Sequence, residues 1–178
     1  MRFIRRILGE QEGPSESSRK VARIYTDLRG AIIKLDPGSV GIQPTPDAPN
    51  AWGVVMDWSV DRGVATIISL IDGTTSMYLS SGGGSIGAGG HEKAAVASIG
   101  AIRIAEGMID AFLPVTDAPL PGPDRTALTV LTFGGLRRIE EANTAFAQGT
   151  SLYMPLANAM QEVVSAIRLA EAASERKH

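Results

Sequence analysis

Apolar and polar positions divide the first half of the chain into one helix and three strands. Apolar residues at helical spacing predict a helix from Ser17 or Ser18 to residue 35. Its apolar side is Val21, Ile24, Tyr25, Leu28, Ile32 and Leu35. Period-two alternation predicts strands over 52–60, 64–71 and 75–81. The middle strand is apolar on both faces, which is typical of a central strand covered on both sides.

The second half adds a long helix, two strands and a last helix. Apolar spacing predicts the long helix over 91–113 and strands over 127–133 and 136–142. The second of these strands is charged, which is typical of a sheet edge. Pro155 opens the last helix, since proline is tolerated in a first turn.

These elements predict an α+β fold in the order α-β-β-β-α-β-β-α. Hairpin signals such as Asp72-Gly73 and Gly134-Gly135 make the five-stranded sheet mostly antiparallel. Helices are expected on both faces, as an α/β/α sandwich with profilin-like elements. The predicted domain covers 17–173, between an N-terminal basic and polar extension at 1–16 and a solvated tail at 174–178.

Composition removes several classes of function. The 178 residues contain no cysteine, which excludes disulfides, thiolate metal sites and a cysteine nucleophile. With only His91 and His178 present, no metal site is expected, and no motif points to a cofactor. A formal net charge of −2 argues against nucleic-acid binding.

The location and partners of the protein are expectations of the same kind. No apolar run is long enough for a membrane span, and no signal peptide is recognisable, so a cytoplasmic location is expected. The basic residues 1–8 are interpreted either as a frayed end or as a weak membrane or partner contact. The apolar fraction of 44% and a shared face for Trp52 and Trp58 suggest a homodimer.

The segment with the strongest chemical pattern spans residues 72–91 and reads DGTTSMYLSSGGGSIGAGGH. It resembles a segment of an uncharacterised family of small bacterial proteins. The resemblance extends loosely to the following helix and the last two strands, and it implies no activity. Six of the nine residues at 82–90 are glycine, between a predicted strand and a predicted helix start.

Three interpretations of this glycine-rich loop are open. Glycines provide tight turns and close packing of a helix on a sheet. Free backbone N–H groups at a helix N-terminus also favour a small anion or a nucleotide. The ligand-binding candidates are Ser81, Gly82, Gly83, Gly84, Ser85, Gly87, Gly89, Gly90 and His91.

Catalysis is the third interpretation. The candidate residues are His91, Ser80, Ser81 and Asp72, which would form a Ser/His/Asp hydrolase site. Neither a Gly-x-Ser-x-Gly elbow nor a Walker lysine is present. The sequence therefore favours a non-enzymatic ligand-binding or interaction module. A small-molecule hydrolase or an anion- or nucleotide-binding enzyme is the alternative.

Overall fold

The computed structural model describes residues 16–61, 63–85 and 90–175. The α-helices in this part of the chain are α1 (Glu16–Ile33), α2 (Glu92–Gly107), α3 (Asn143–Ala147) and α4 (Met154–Glu175). The strands are β1 (Ala51–Val60), β2 (Gly63–Leu70), β3 (Thr75–Leu79), β4 (Gly84–Ser85), β5 (Leu113–Val115), β6 (Arg125–Thr132) and β7 (Gly135–Ala142). Short 3-10 turns occur at Pro37–Val40 and Ile109–Ala111.

The strands form one seven-stranded sheet in the order β4-β3-β2-β1-β6-β7-β5, and every neighbouring pair is antiparallel. Strand β1 lies in the middle, between β2 and β6. Only short segments of chain separate β1 from β2, β2 from β3 and β6 from β7. Sequential hairpins therefore build β1-β2-β3-β4 and β6-β7. Strand β5 precedes β6 in the chain and is added to the outer side of β7, and the pairing of β1 with β6 joins the two halves.

The prediction of a five-stranded sheet and its element order is wrong. Strands β4 and β5 add one strand to each edge, and the five-residue helix α3 precedes α4. Elements of two or three residues are too short to show period-two alternation. Strand β7 is not the outermost strand that its charges suggested, because the three residues of β5 pair with residues 136–138 on its outer side.

Helix α1 covers one face of the sheet. Its buried Tyr25, with Leu28 and Ile32, packs against an apolar cluster on the strands. The cluster contains Trp52, Val55, Ile68, Leu70, Tyr78 and Leu131. Removing such side chains from water is the main stabilising contribution to this layer.

Helices α2 and α4 lie side by side on the opposite face. Alanines 94, 101 and 105 of α2 are fully buried, and small side chains of this kind allow a helix to approach a sheet closely. The larger side chains Ile102, Met160, Val163 and Ile167 complete this core with Val54, Met56, Ile67 and Leu128 of the sheet. The Ser98 hydroxyl donates to the Leu70 carbonyl at 3.0 Å and so fixes α2 over the end of β2.

A bulge in β1 separates the two tryptophans. The register between β1 and β6 shifts between Ala51 and Gly53, so Trp52 turns toward α1 and joins the α1-side cluster. Trp58 lies on the other face, beside Met56 of the α2/α4-side core. The shared aromatic face on which the homodimer prediction partly rests is therefore absent.

The helices in the described part of the chain include none with the length and apolar character needed to cross a membrane. The predicted extension at 1–16 lies outside the described residues, apart from Glu16, which begins α1. The roles proposed for residues 1–8 fall outside them as well, and so do residues 176–178 of the tail.

Candidate functional site

The first part of the glycine-rich segment is a tight hairpin between β3 and β4. The Leu79 N–H donates to the Gly83 carbonyl at 3.1 Å, and the Gly82 N–H donates to the Leu79 carbonyl at 2.9 Å. Gly82, Gly83 and Gly84 have φ values of 106°, 86° and 144°, which favour glycine. A Cβ at Gly84 would also collide with the Met77 carbonyl. These glycines are therefore required by the turn and by strand pairing.

The rest of the segment leads toward α2. Gly87 and Gly89 lie outside the described residues. Gly90 and His91 are exposed, and His91 is the N-cap residue of α2 without a capping hydrogen bond from its side chain. Anion binding by this part of the loop stays a prediction.

The candidate catalytic residues are separated along β3. The Ser80 hydroxyl, after the strand, accepts a hydrogen bond from the Val64 N–H at 2.8 Å. The Asp72 carboxylate, before the strand, accepts one from the Thr74 N–H at 2.8 Å and so shapes the turn. Ser81 is an exposed turn residue. Among the described residues, no hydrogen bond joins His91 to any of these side chains. The structure does not bring a Ser/His/Asp triad together.

A small cavity lies between α1 and this hairpin. It has a volume of about 240 Å³ and is lined mainly by apolar atoms of Ile24, Tyr25, Leu28, Tyr78, Leu79 and Gly82–84. The predicted polar residues Ser80, Ser81 and His91 are not in its lining. The hairpin thus contributes backbone and apolar surface to the cavity, without the converging polar groups of an anion site.

A buried polar network holds α1 against the middle of the sheet. Arg29 donates from Nε to Asp57 Oδ1 at 2.9 Å and from Nη2 to Oδ2 at 2.6 Å. The same Nη2 donates to the Ala118 carbonyl at 2.7 Å. Thr66 Oγ1 donates to Asp57 Oδ1 at 2.6 Å, so the Tyr25 hydroxyl, 2.6 Å from Thr66 Oγ1, is the donor in that pair.

The network changes the pKa values of Arg29 and Tyr25. Burial opposes the charge of Arg29, but its hydrogen bonds and attraction to Asp57 outweigh burial and raise the pKa. Burial also raises the pKa of Tyr25, and the Asp57 charge adds to this increase against the opposing effects of Thr66 and Arg29. The group is therefore a satisfied structural ion pair with a neutral tyrosine beside it.

A larger cavity lies on the other face, where β1 ends and β6 begins. It has a volume of about 750 Å³ and opens between the sheet, α3 and the first turns of α4. Its lining is Met56, Trp58, Ser59, Val60, Asp61, Asp124, Thr126, Asn143, Phe146, Ala147, Met154, Ala157, Asn158 and Gln161. We call this cavity the Trp58 cleft.

Small cross-strand neighbours make room for the cleft. Trp58 faces Ala65 on β2 and Thr126 on β6, neither of which fills the space above the sheet. Helix α3 forms the wall, and Asn143 fixes it: the Asn143 amide donates to the Ser59 carbonyl at 2.9 Å and accepts from Thr126 at 2.7 Å. Trp58 itself remains only half-buried. The cleft is consequently preformed, with an accessible aromatic side chain at its base.

Other polar groups of the cleft have no partner within the described residues. The side chains of Asn158 and Gln161, three residues apart on α4, are exposed and make no hydrogen bond there. Asp61 and Asp124 add two exposed carboxylates. Asp124 also has a φ of 55°, the one non-glycine residue with a positive φ in the described part. Free polar groups thus converge with an aromatic side chain, which is typical of ligand sites.

Sequence analysis missed this cleft because its residues come from four separate segments. The signal that was present is Trp58, a large aromatic residue at the end of a strand whose alternation places it next to small residues on both neighbours. That signal becomes visible only when the strand order is known.

The described residues contain no group of three or more His, Asp or Glu side chains arranged to hold a metal ion. Comparisons with protein-family models, with curated proteins and with solved structures find no match for this chain. The resemblance of residues 72–91 to a family of small bacterial proteins stays a prediction.

Proposed function

We propose that this protein is a non-enzymatic binding module whose small-molecule ligand occupies the Trp58 cleft. One observation carries the proposal. A single preformed cavity of about 750 Å³ contains both the half-buried Trp58 and the carboxamides of Asn158 and Gln161, which have no partner among the described residues. A cavity of this volume is in the range of sites for small organic ligands. The proposal thereby assigns the ligand to the α2/α4 side of the sheet. The hairpin between β3 and β4 (residues 80–84, the glycine hairpin) lines the smaller cavity on the α1 side.

The chemistry of the lining favours binding over catalysis. Its described residues include no histidine, lysine, tyrosine or cysteine. The remaining groups that could act as a base or nucleophile are the exposed carboxylates of Asp61 and Asp124 and the hydroxyls of Ser59 and Thr126, with no histidine or lysine beside them in the described lining. The hydrogen bonds of Thr126 and Asn143 are used to hold α3. The hydrolase alternative has weaker support, because Ser80 and Asp72 each bind backbone at opposite ends of β3.

Two further features belong to the proposal. A cytoplasmic location is motivated by the absence of cysteine from the sequence. Homodimer formation is motivated by the apolar fraction of 44% alone, since Trp52 and Trp58 lie on different faces.

The chain contains two tryptophans, which allows a selective test. In the Trp52→Phe variant, Trp58 is the one indole left, so its fluorescence reports on the cleft. We expect members of a small-molecule fragment library to change this emission. They should also raise the melting temperature, with a stabilisation of about 2.7 kcal/mol when the ligand is at 100 times its Kd.

The matched control is Trp58→Phe, which leaves the buried Trp52 on the α1 side as the reporter. Fragments that act through the cleft should leave its emission unchanged. The proposal fails if no fragment affects Trp58 selectively, or if binding fragments change the emission of Trp52 alone.

A further inference from the structure

We infer that the ligand of the Trp58 cleft is a planar nitrogen heterocycle without a phosphate group, bound by stacking on Trp58 and by edge contacts to Asn158 and Gln161. This inference rests on the proposed function and assigns the ligand class to the same site. It combines three properties of the cleft, which are its aromatic surface, its free carboxamides and its charge.

The aromatic surface selects for a flat ligand. Trp58 is half-buried, and Met56, Phe146 and Met154 add apolar surface around it. Stacking of a heteroaromatic ring on such a side chain is favourable and depends little on the identity of the ring. A flat ring therefore gains more from this surface than a branched or flexible ligand of equal size.

The free carboxamides select for nitrogen at the ring edge. Asn158 and Gln161 are separated by three residues on α4, so their side chains lie on the same side of the helix. Each carboxamide offers both a donor and an acceptor. A heterocycle with a ring nitrogen next to an amino or carbonyl group matches this pair, as in recognition of base edges by Asn and Gln.

The charge of the cleft selects against phosphate. Asp61 and Asp124 are acidic, and no Lys, Arg or His is found among the described lining residues. The N-terminus of α4 at Met154 contributes roughly half a positive charge. That partial charge is smaller than the two carboxylate charges, so the described part of the lining favours a neutral or cationic ligand.

The test uses the full chain carrying Trp52→Phe and six probes: adenosine, guanosine, cytidine and their 5′-monophosphates. We expect at least one nucleoside to quench the Trp58 emission with a Kd below about 1 mM, and its monophosphate to bind about 10-fold more weakly. Asn158→Ala and Gln161→Ala should each weaken that nucleoside by about 3- to 10-fold. Asp61→Asn with Asp124→Asn should reduce the discrimination against phosphate.

Glu162→Ala is the matched control on α4, because Glu162 is exposed and outside the cleft lining. It should leave nucleoside affinity unchanged, and far-ultraviolet circular dichroism verifies that every variant is folded. Failure of all three nucleosides to bind, or a monophosphate that binds as tightly as its nucleoside, overturns the inference. If fragments of another shape bind next to Trp58 in that case, the proposed function stands and the ligand class assigned here does not.

Discussion

The glycine hairpin at residues 80–84 and the Trp58 cleft differ in how their polar groups are used. In the hairpin, the Ser80 hydroxyl binds the Val64 N–H, and glycine N–H and carbonyl groups bind Leu79. In the cleft, Asn158 and Gln161 have no partner among the described residues. The hairpin has the more conspicuous sequence, but it is the cleft whose polar side chains are free to bind a ligand.

The difference shows why a local motif and a site are separate things. Glycines with positive φ satisfy a conformational requirement of the chain, and that requirement alone explains Gly82–84. A binding site needs groups that the fold leaves unsatisfied and brings together from different elements. Substitutions in the hairpin and in α1 should therefore lower stability, while substitutions in the cleft should lower ligand affinity.

The largest loss of stability is expected from breaking the Arg29–Asp57 ion pair, which fixes α1 to the sheet. Helix α1 forms one wall of the cavity beside the hairpin. Arg29→Met should lower the free energy of unfolding by about 3–5 kcal/mol, because it leaves the buried Asp57 carboxylate without its partner. Urea denaturation measures the loss. Arg23→Met is the control, since the Arg23–Asp27 pair is exposed and should contribute less than about 0.5 kcal/mol. Equal losses in the two variants would show that the buried pair is not the anchor of α1.

A smaller effect is expected within the hairpin. Gly84→Ala should lower the free energy of unfolding by about 2–4 kcal/mol, because its Cβ meets the Met77 carbonyl and its φ is 144°. Gly83→Ala, with a φ of 86° but open space around its Cβ, should cost about 1 kcal/mol. Thermal melting with calorimetry compares the two. A stable Gly84→Ala variant with altered ligand binding would instead favour a functional hairpin.

Substitutions of the two serines in the hairpin distinguish a structural role from a catalytic one. Ser80→Ala should cost about 1 kcal/mol, because the Val64 N–H loses its 2.8 Å acceptor. Ser81→Ala, at an exposed turn position, should stay within about 0.5 kcal/mol of the wild type. Both are measured by urea denaturation. A hydrolytic activity lost on either substitution would contradict the structural role described here.

The smallest expected effect is the change with pH in the stability that the Tyr25 hydroxyl contributes. The pKa of Tyr25 in the folded protein lies above its ordinary value of about 10, so the stabilisation by its neutral hydroxyl is complete below pH 10. It is lost as the pH rises through the folded pKa. Tyr25→Phe should therefore be less stable by about 1 kcal/mol at pH 8, and the difference should shrink above pH 10. Urea midpoints at several pH values test this, and a difference independent of pH would refute it.

The longer strands could be predicted because the pattern of apolar residues along each of them shows which faces of the strand are buried. Strand β2 runs over Gly63–Leu70, where apolar residues on both faces predicted a central strand over 64–71. Helix α2 ends at Gly107, whereas the prediction extended it to residue 113. The prediction was too long because Ile109 and Phe112 continue the apolar spacing of the helix, although they belong to the following 3-10 turn and its C-cap. Apolar spacing shows which residues are buried, but not where the backbone leaves the helix.

The remaining features depend on contacts between distant segments. Strand β4 consists of Gly84 and Ser85, and β5 has Pro114 at its centre. Since glycine and proline are uncommon inside strands, neither sequence resembles a strand. The prediction placed both tryptophans on one face because it assumed unbroken alternation along β1. The bulge between Ala51 and Gly53 inverts the alternation before Gly53 and so moves Trp52 to the other face. The cleft follows from the positions of β1, β6, α3 and α4 together.

The short edge strands determine how the sheet meets other chains. Within the described residues, β4 offers two residues at one edge, and β5 offers three, with Pro114 lacking an N–H at its centre. Edges of this kind resist the strand-to-strand addition that leads to aggregates and fibrils. The outermost strands of the described sheet thus offer little backbone for such addition, and self-association of this protein should involve its helical surfaces.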